Sequence, residues 1–171
     1  MLIKNYGLFW ERKLVFWGRP GVSGAIMGSM NKRDALDIDF RSQKAIYVLH
    51  KNDRIVYIGQ TGSGDDGLFS RLRQHTRNHL ASRWDQFSWF GLLPVTKSGV
   101  LSSKAENQHA DNCGALDHFE AILLSIVEPP LNKQGPRWGD GVEQYYQVRH
   151  EEIEQSDREL LEEIYSRLPA K

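Results

Sequence analysis

Glu120 is the residue most out of keeping with its neighbours. Leu116, Phe119, Leu123, Leu124 and Val127 recur at helical spacing, and position 120 falls inside their stripe. A carboxylate there is costly unless a divalent cation or an arginine compensates it, or unless it lies at the solvated edge of the stripe. Arg71, His75 and His79 follow one another at single helical turns, and residues 66–83 hold four arginines (71, 73, 77, 83) against one acid, Asp66. Such a helix can contact phosphates or simply present a solvated face. Tyr47 and Tyr57 stand in two β-branched runs, and Asn132 follows Pro129-Pro130-Leu131. His75-x-x-x-His79 has the spacing of a zinc clamp, and His109, Asp111, Cys113 and His118 form a loose cluster. No Cys-x-x-Cys pair accompanies them, and the spacing fits no standard zinc module.

The elements that must hold these residues can be read from periodicity. AIYVLH (45–50) and RIVYIG (54–59), separated by Lys51, Asn52 and Asp53, predict a hairpin. A three-residue loop pairs positions whose numbers sum to 104, which sets Tyr47 across from Tyr57 with both hydroxyls on one face. A one-residue slip would part them. The Gly-rich loop QTGSGDDG (60–67) lacks the Lys-Ser/Thr of a phosphate-binding P-loop. A helix is expected from Asp66 to about Arg83, with Leu68, Leu72, Thr76 and Leu80 on one side. A third strand is expected over 87–95, then a surface loop over 96–113, then a helix from Ala115 to about Val127 stopped by Pro129-Pro130. Ser156-x-x-Glu159 has the capping-box pattern ahead of a last helix carrying Leu160, Leu161, Ile164 and Leu168. Residues 1–37 read as irregular chain wrapped on the core by aromatics such as Trp10 and Trp17.

The whole chain of 171 residues is expected to be one domain. Its 40% hydrophobic and 26% charged residues are a globular composition and exclude a mostly disordered chain. A single cysteine, Cys113, excludes an internal disulfide and suits the reducing cytosol, so a cytoplasmic location is expected. No apolar run approaches the roughly 18 residues of a membrane span. Net charge is zero, but residues 1–83 carry 14 Lys and Arg against 7 acids, while 84–171 carry 8 against 15. One face suited to a polyanion, or two halves that attract each other, would both produce that split.

Taken in order, Ala45-Ile46-Tyr47, Tyr57-Ile58-Gly59, Arg71-x-x-x-His75, Glu120 and Asn132 resemble the motifs of the GIY-YIG nucleases across residues 44–135. That family includes phage homing endonucleases, the incision subunit of bacterial nucleotide-excision repair and some type II restriction enzymes. The gap of 12 from Glu120 to Asn132 is similar to that of the restriction-enzyme branch. Ala45 departs from the pattern, standing where the family has its first glycine. The resemblance implies an α+β fold, a small three-stranded antiparallel sheet flanked by helices, here with extensions at 1–43 and 136–171.

It also implies a DNA endonuclease that hydrolyses phosphodiester bonds with one Mg²⁺ or Mn²⁺. Glu120 would be the metal ligand, Arg71 the bidentate phosphate clamp, and Asn132 a hydrogen-bonding support. Tyr47 or His75 would serve as general base, with Tyr57 binding water or phosphate. Ionising an unperturbed tyrosine at pH 7 costs ~4 kcal/mol, so His75 is the easier base and a cation beside Tyr47 would narrow the gap. Arg71, Arg73, Arg77 and Lys44, with Arg41 nearby, would contact nucleic acid. Duplex DNA is the expected partner, and a homodimer would cut both strands most simply. Target choice would fall to the flanks or to a partner, since such a core reads few bases. Two other classes are open: a nucleic-acid-binding or regulatory module with a silent or RNA-directed site, and a zinc-bound interaction domain.

Overall fold

In the computed structural model the described residues are 3–61, 67–102, 121–122, 125 and 141–167. The fold is α+β. Strands β4 (Ala45–Lys51) and β5 (Arg54–Gln60) form the expected hairpin, and β6 (Gln86–Gly91) pairs with the other edge of β4. These three antiparallel strands are not the whole sheet. β1 (Asn5–Glu11) adds to β6, and β7 (Glu143–Gln144) adds to β1 in parallel, giving the order β5-β4-β6-β1-β7. A second sheet stacks β3 (Ile38–Asp39), β2 (Met27–Ser29) and β8 (Tyr146–Gln147).

The three-stranded expectation is therefore corrected to a mixed five-stranded sheet plus a small three-stranded one. Residues 1–37 are likewise not merely irregular chain: they supply β1 and β2. The reason is visible in β1, whose register against β6 shifts between Gly7 and Trp10, with Phe9 at φ 52°. That irregularity breaks the alternation by which a strand is recognised.

The hairpin turn is shorter than expected. Asn52 (φ 50°) and Asp53 (φ 61°) alone make the turn, in the left-handed backbone region that Asn and Asp tolerate. Lys51 pairs with Arg54, and a register shift between Leu49 and His50 leaves Val56 as an extra residue on β5. Tyr47 consequently lies opposite Gly59, and Tyr57 opposite Leu49. The two changes together move the register by two residues, so Tyr47 and Tyr57 still share a face.

Alternation along the strands divides the core in two. Tyr47 and Leu49 on β4, Phe87 and Trp89 on β6 and Trp10 on β1 face one side, packed with Leu68, Leu72, Phe40 and Tyr145. Trp10 makes edge-on contacts with Trp89 and Phe87 at 5.4 and 6.0 Å. Val48 and Phe90 face the other side with Ile3, Tyr6 and Ile122. Tyr145 is therefore core, while its neighbour Tyr146 is 49% exposed.

Helix α1 spans Leu68–His75 and stops well short of the expected Arg83. The Thr76 hydroxyl donates to the Arg73 carbonyl (2.7 Å), and the Asn78 side-chain oxygen accepts the Leu80 N–H (2.9 Å). Both are local side-chain bonds that compete with helix continuation. Of the helix expected at 115–127, the described Ala121, Ile122 and Ser125 are helical and buried; the rest lies outside the described residues. Helix α2 spans Glu151–Arg167, so it begins five residues before Ser156, which is interior rather than a cap. No helix among the described residues is long and apolar enough to cross a membrane.

A buried polar network ties the sheet to the entry of β4. Gln43 Nε2 donates to Asn5 Oδ1 (2.8 Å) and to the Leu93 carbonyl (3.0 Å), and Gln43 Oε1 accepts the Leu93 N–H (2.9 Å). Asn5 Nδ2 also donates to that carbonyl, at 2.9 Å. Truncation at position 43 leaves an amide N–H and a side-chain oxygen unsatisfied in the interior. Gln43→Ala is expected to cost about 2–4 kcal/mol in urea unfolding with an unchanged m-value. A loss below about 0.5 kcal/mol would show the network to be dispensable.

Candidate functional site

The fold brings Tyr47, Tyr57, Arg71 and His75 together. Tyr47 comes from the central part of β4 and is fully buried; Tyr57 comes from the edge strand β5 and is half-buried. His75 is the last residue of α1, where the buried Leu68 and Leu72 turn that side of the helix onto the sheet. Its Nε2 lies 2.8 Å from the Tyr47 hydroxyl. The imidazole packs against both tyrosine rings, with centroids at 5.7 Å to Tyr47 and 4.9 Å to Tyr57; the tyrosines are 6.3 Å apart. The Trp84 indole N–H donates to the His75 carbonyl (3.3 Å) and fixes the end of the helix.

Gly59 makes this approach possible. A Cβ at position 59 would sit 2.6 Å from the Tyr47 hydroxyl oxygen, 2.7 Å from Tyr47 Cζ and 2.7 Å from Tyr57 Cε1. The glycine of the second tripeptide thus leaves room for both tyrosines at once. Ala45, by contrast, is a buried strand residue lying opposite Gly91, its N–H bonded to Thr61 Oγ1 and its carbonyl to the Thr61 N–H.

Electrostatics set the protonation states. Burial, then the neighbouring Tyr57, raises the Tyr47 pKa above 10, while the Arg71 guanidinium pulls against that rise. Burial first, and Arg71 second, lower the pKa of His75 below its ordinary 6.5, so the imidazole is neutral at physiological pH. Arg71 is half-buried; its Nη1 donates to Gln74 Oε1 (3.3 Å), and its buried Nε has no partner among the described residues. A guanidinium with an open donor beside a phenol and an imidazole is equipped to receive an oxyanion.

Arg71 also lines a groove of about 660 Å³ formed with Ser70, Arg73, Gln74, Arg77 and Asn78. Arg73 stacks over the Phe69 ring at 5.9 Å, and Arg77 is exposed. Lys44 immediately precedes β4, half-buried, with its carbonyl bonded to the Leu92 N–H (2.8 Å). Arg41 is held in an ion pair with Asp39. Glu120 and Asn132 lie outside the described residues. Ile122, two positions after Glu120, packs with Val48 on the sheet face opposite Tyr47.

The zinc reading finds no support in His75 and His79. Helix α1 ends at His75, and Asn78 Nδ2 lies 3.1 Å from His75 Nδ1, so both ring nitrogens have partners. No cluster of three His, Cys, Asp or Glu suited to a metal occurs among the described residues; His109, Asp111, Cys113 and His118 fall outside them. Gln74 and Asn78 do not stand out in the sequence, and the motif that contains Gly59 does not reveal its packing role. The signal for Asn78 was its turn chemistry, placed three residues after His75.

Comparison with family models, curated proteins and solved structures finds no match for this chain.

Two outcomes follow from this geometry. Gly59→Ala forces apart side chains that are already packed, and is expected to cost about 1–3 kcal/mol and to weaken the Tyr47–His75 contact. Urea unfolding, together with the His75 imidazole resonances, would show both effects; unchanged resonances would refute the close-approach argument. The second concerns pH. Burial, partly opposed by Asp53 and Asp85, also lowers the pKa of His50, whose Nε2 lies 3.1 Å from the Ser88 hydroxyl. Both histidines bind fewer protons folded than unfolded below the ordinary pKa of about 6.5, so stability is lost as pH falls through that value. The thermal midpoint is expected to be lower at pH 5.5 than at pH 7.5, with a smaller difference in His50→Gln.

Proposed function

We propose that this chain is a metal-dependent endonuclease of the GIY-YIG type that hydrolyses phosphodiester bonds in DNA. The observation that carries the reading is the contact of Tyr47 with His75, flanked by Tyr57 and by Arg71, which also lines an arginine-rich groove. Phosphoryl transfer depends chiefly on positioning and on neutralising charge at the phosphate oxygens. Arg71 clamps the scissile phosphate through its open donors, and Arg73 and Arg77 hold the backbone on either side. The Tyr47–His75 pair orients the attacking water and handles its proton, while Tyr57 binds water or phosphate at the rim.

The described cluster is a phenol, imidazole and guanidinium set and contains no carboxylate. A hard Mg²⁺ or Mn²⁺ therefore calls for Glu120 as its protein ligand, with water and phosphate oxygens completing the shell. Such an ion supplies charge neutralisation and an acidified water. Asn132 would support the catalytic groups by hydrogen bonding.

Purified protein is expected to nick or linearise supercoiled plasmid with Mg²⁺ or Mn²⁺ and to be silent in EDTA. Glu120→Ala should abolish cleavage, and Tyr47→Phe should slow it by about 10²–10⁴-fold while retaining the fold. Arg73→Ala and Arg77→Ala should each reduce the salt slope of DNA binding by about one. Full activity of a folded Glu120→Ala protein would overturn the metal assignment. Failure to cleave plasmid, branched DNA and RNA alike would overturn the nuclease reading.

A further inference from the structure

Asn78 does two things at once. Its Oδ1 accepts the Leu80 N–H at 2.9 Å, and its Nδ2 lies 3.1 Å from His75 Nδ1. The backbone N–H is an unambiguous donor, so it dictates which end of the amide points at it; flipped, the amide would set donor against donor. The group facing His75 is therefore the NH₂, a donor only. His75 Nδ1 must accept, and in the neutral imidazole the proton must then reside on Nε2. Nε2 is the atom 2.8 Å from the Tyr47 hydroxyl.

We infer that Asn78 is a positioning residue that locks His75 in its Nε2–H tautomer, so that the imidazole donates to the Tyr47 oxygen instead of accepting its proton. The inference rests on the proposed nuclease site for its meaning but not for its chemistry. Tyr47 oxygen then receives the His75 N–H with the Arg71 guanidinium beside it, an environment that favours the phenolate over the phenol. Burial opposes ionisation in the same place. Within the pair, the oxygen of Tyr47 is thus the atom left to take a proton, and His75 is its support. The groups facing His75 are Tyr47 from β4, Tyr57 from β5, and Arg71 and His79 from its own segment. Nδ1 itself is met by the Asn78 amide.

Asn78→Asp is the informative variant. Its carboxylate still accepts the Leu80 N–H, so the helix stop survives, but it presents an acceptor to Nδ1 and inverts the tautomer. In ¹⁵N-labelled full-length protein near pH 7.5, long-range ¹H–¹⁵N spectra of the histidine rings, assigned with His75→Gln, should show Nε2–H at His75 in the wild type and Nδ1–H in Asn78→Asp. Where the protein cleaves DNA, Asn78→Asp should slow the rate by about 10–10²-fold, the usual weight of one hydrogen bond to a charged group. An Nδ1–H tautomer in the wild type, or an unchanged tautomer in a folded Asn78→Asp protein, would overturn the inference. Should Asn78→Asp not fold, the wild-type spectrum decides alone. The spectra need no DNA: the expected tautomers in a protein that cleaves nothing would refute the nuclease reading and leave this inference standing.

Discussion

The hydrogen bond between the Tyr47 hydroxyl and His75 spans two elements of different kind, the middle of a sheet and the last residue of a helix. Such a contact tolerates little error, because a phenol removed from water loses heavily if its partner is absent. Much of the surrounding structure keeps the two within 2.8 Å. Leu68 and Leu72 press α1 onto the sheet, Trp84 grips the helix end, and Gly59 withholds a side chain so that both tyrosines fit beneath β5. The short helix belongs to the same design. A continuous helix would have claimed the Leu80 N–H for its own ladder and left Asn78 Oδ1 without the bond that fixes its amide.

The division of the core explains why the site lies where it does. One face of the sheet is filled by indole and phenyl rings that stack edge-on, and Tyr47 belongs to that layer as much as to the site. Burial therefore fixes its position and resists its ionisation in one stroke. The interior polar groups of Gln43 and Asn5 are matched by partners. Arg71 differs: its buried Nε is unpaired among the described residues, and it borders a basic groove.

Much of this was legible in the residues. The hairpin was marked by two β-branched runs, and the shared face of Tyr47 and Tyr57 survived because the true register differs from the expected one by two positions, an even number. The turn itself was misjudged, since a bulge at Val56 leaves no trace in composition. β1 escaped notice because its shifted register and the left-handed Phe9 spoil the period of two. The helical spacing of Leu68, Leu72, Thr76 and Leu80 runs past the end of α1, while local side-chain bonds of Thr76 and Asn78, which no period records, decide where it stops. Arg71 and His75 were found because a helix brings positions four apart together whatever else happens. The partner of His75 was not found, because a hydrogen bond to a ring nitrogen has no sequence period.

The strand order has a consequence for how the chain comes to be made. β1 is made before both of its partners, β6 and β7, the latter joined also by a Tyr6–Gln144 bond across 138 residues. At ordinary rates of elongation, that separation is a wait on the order of ten seconds. Until β6 is made, Trp10 has none of its eventual neighbours from that strand, and the β4–β5 hairpin can close while its outer edge stays vacant. Until then the nascent chain carries an unsheltered aromatic strand, a natural stretch for chaperone binding and the place where a crowded polysome would first go wrong.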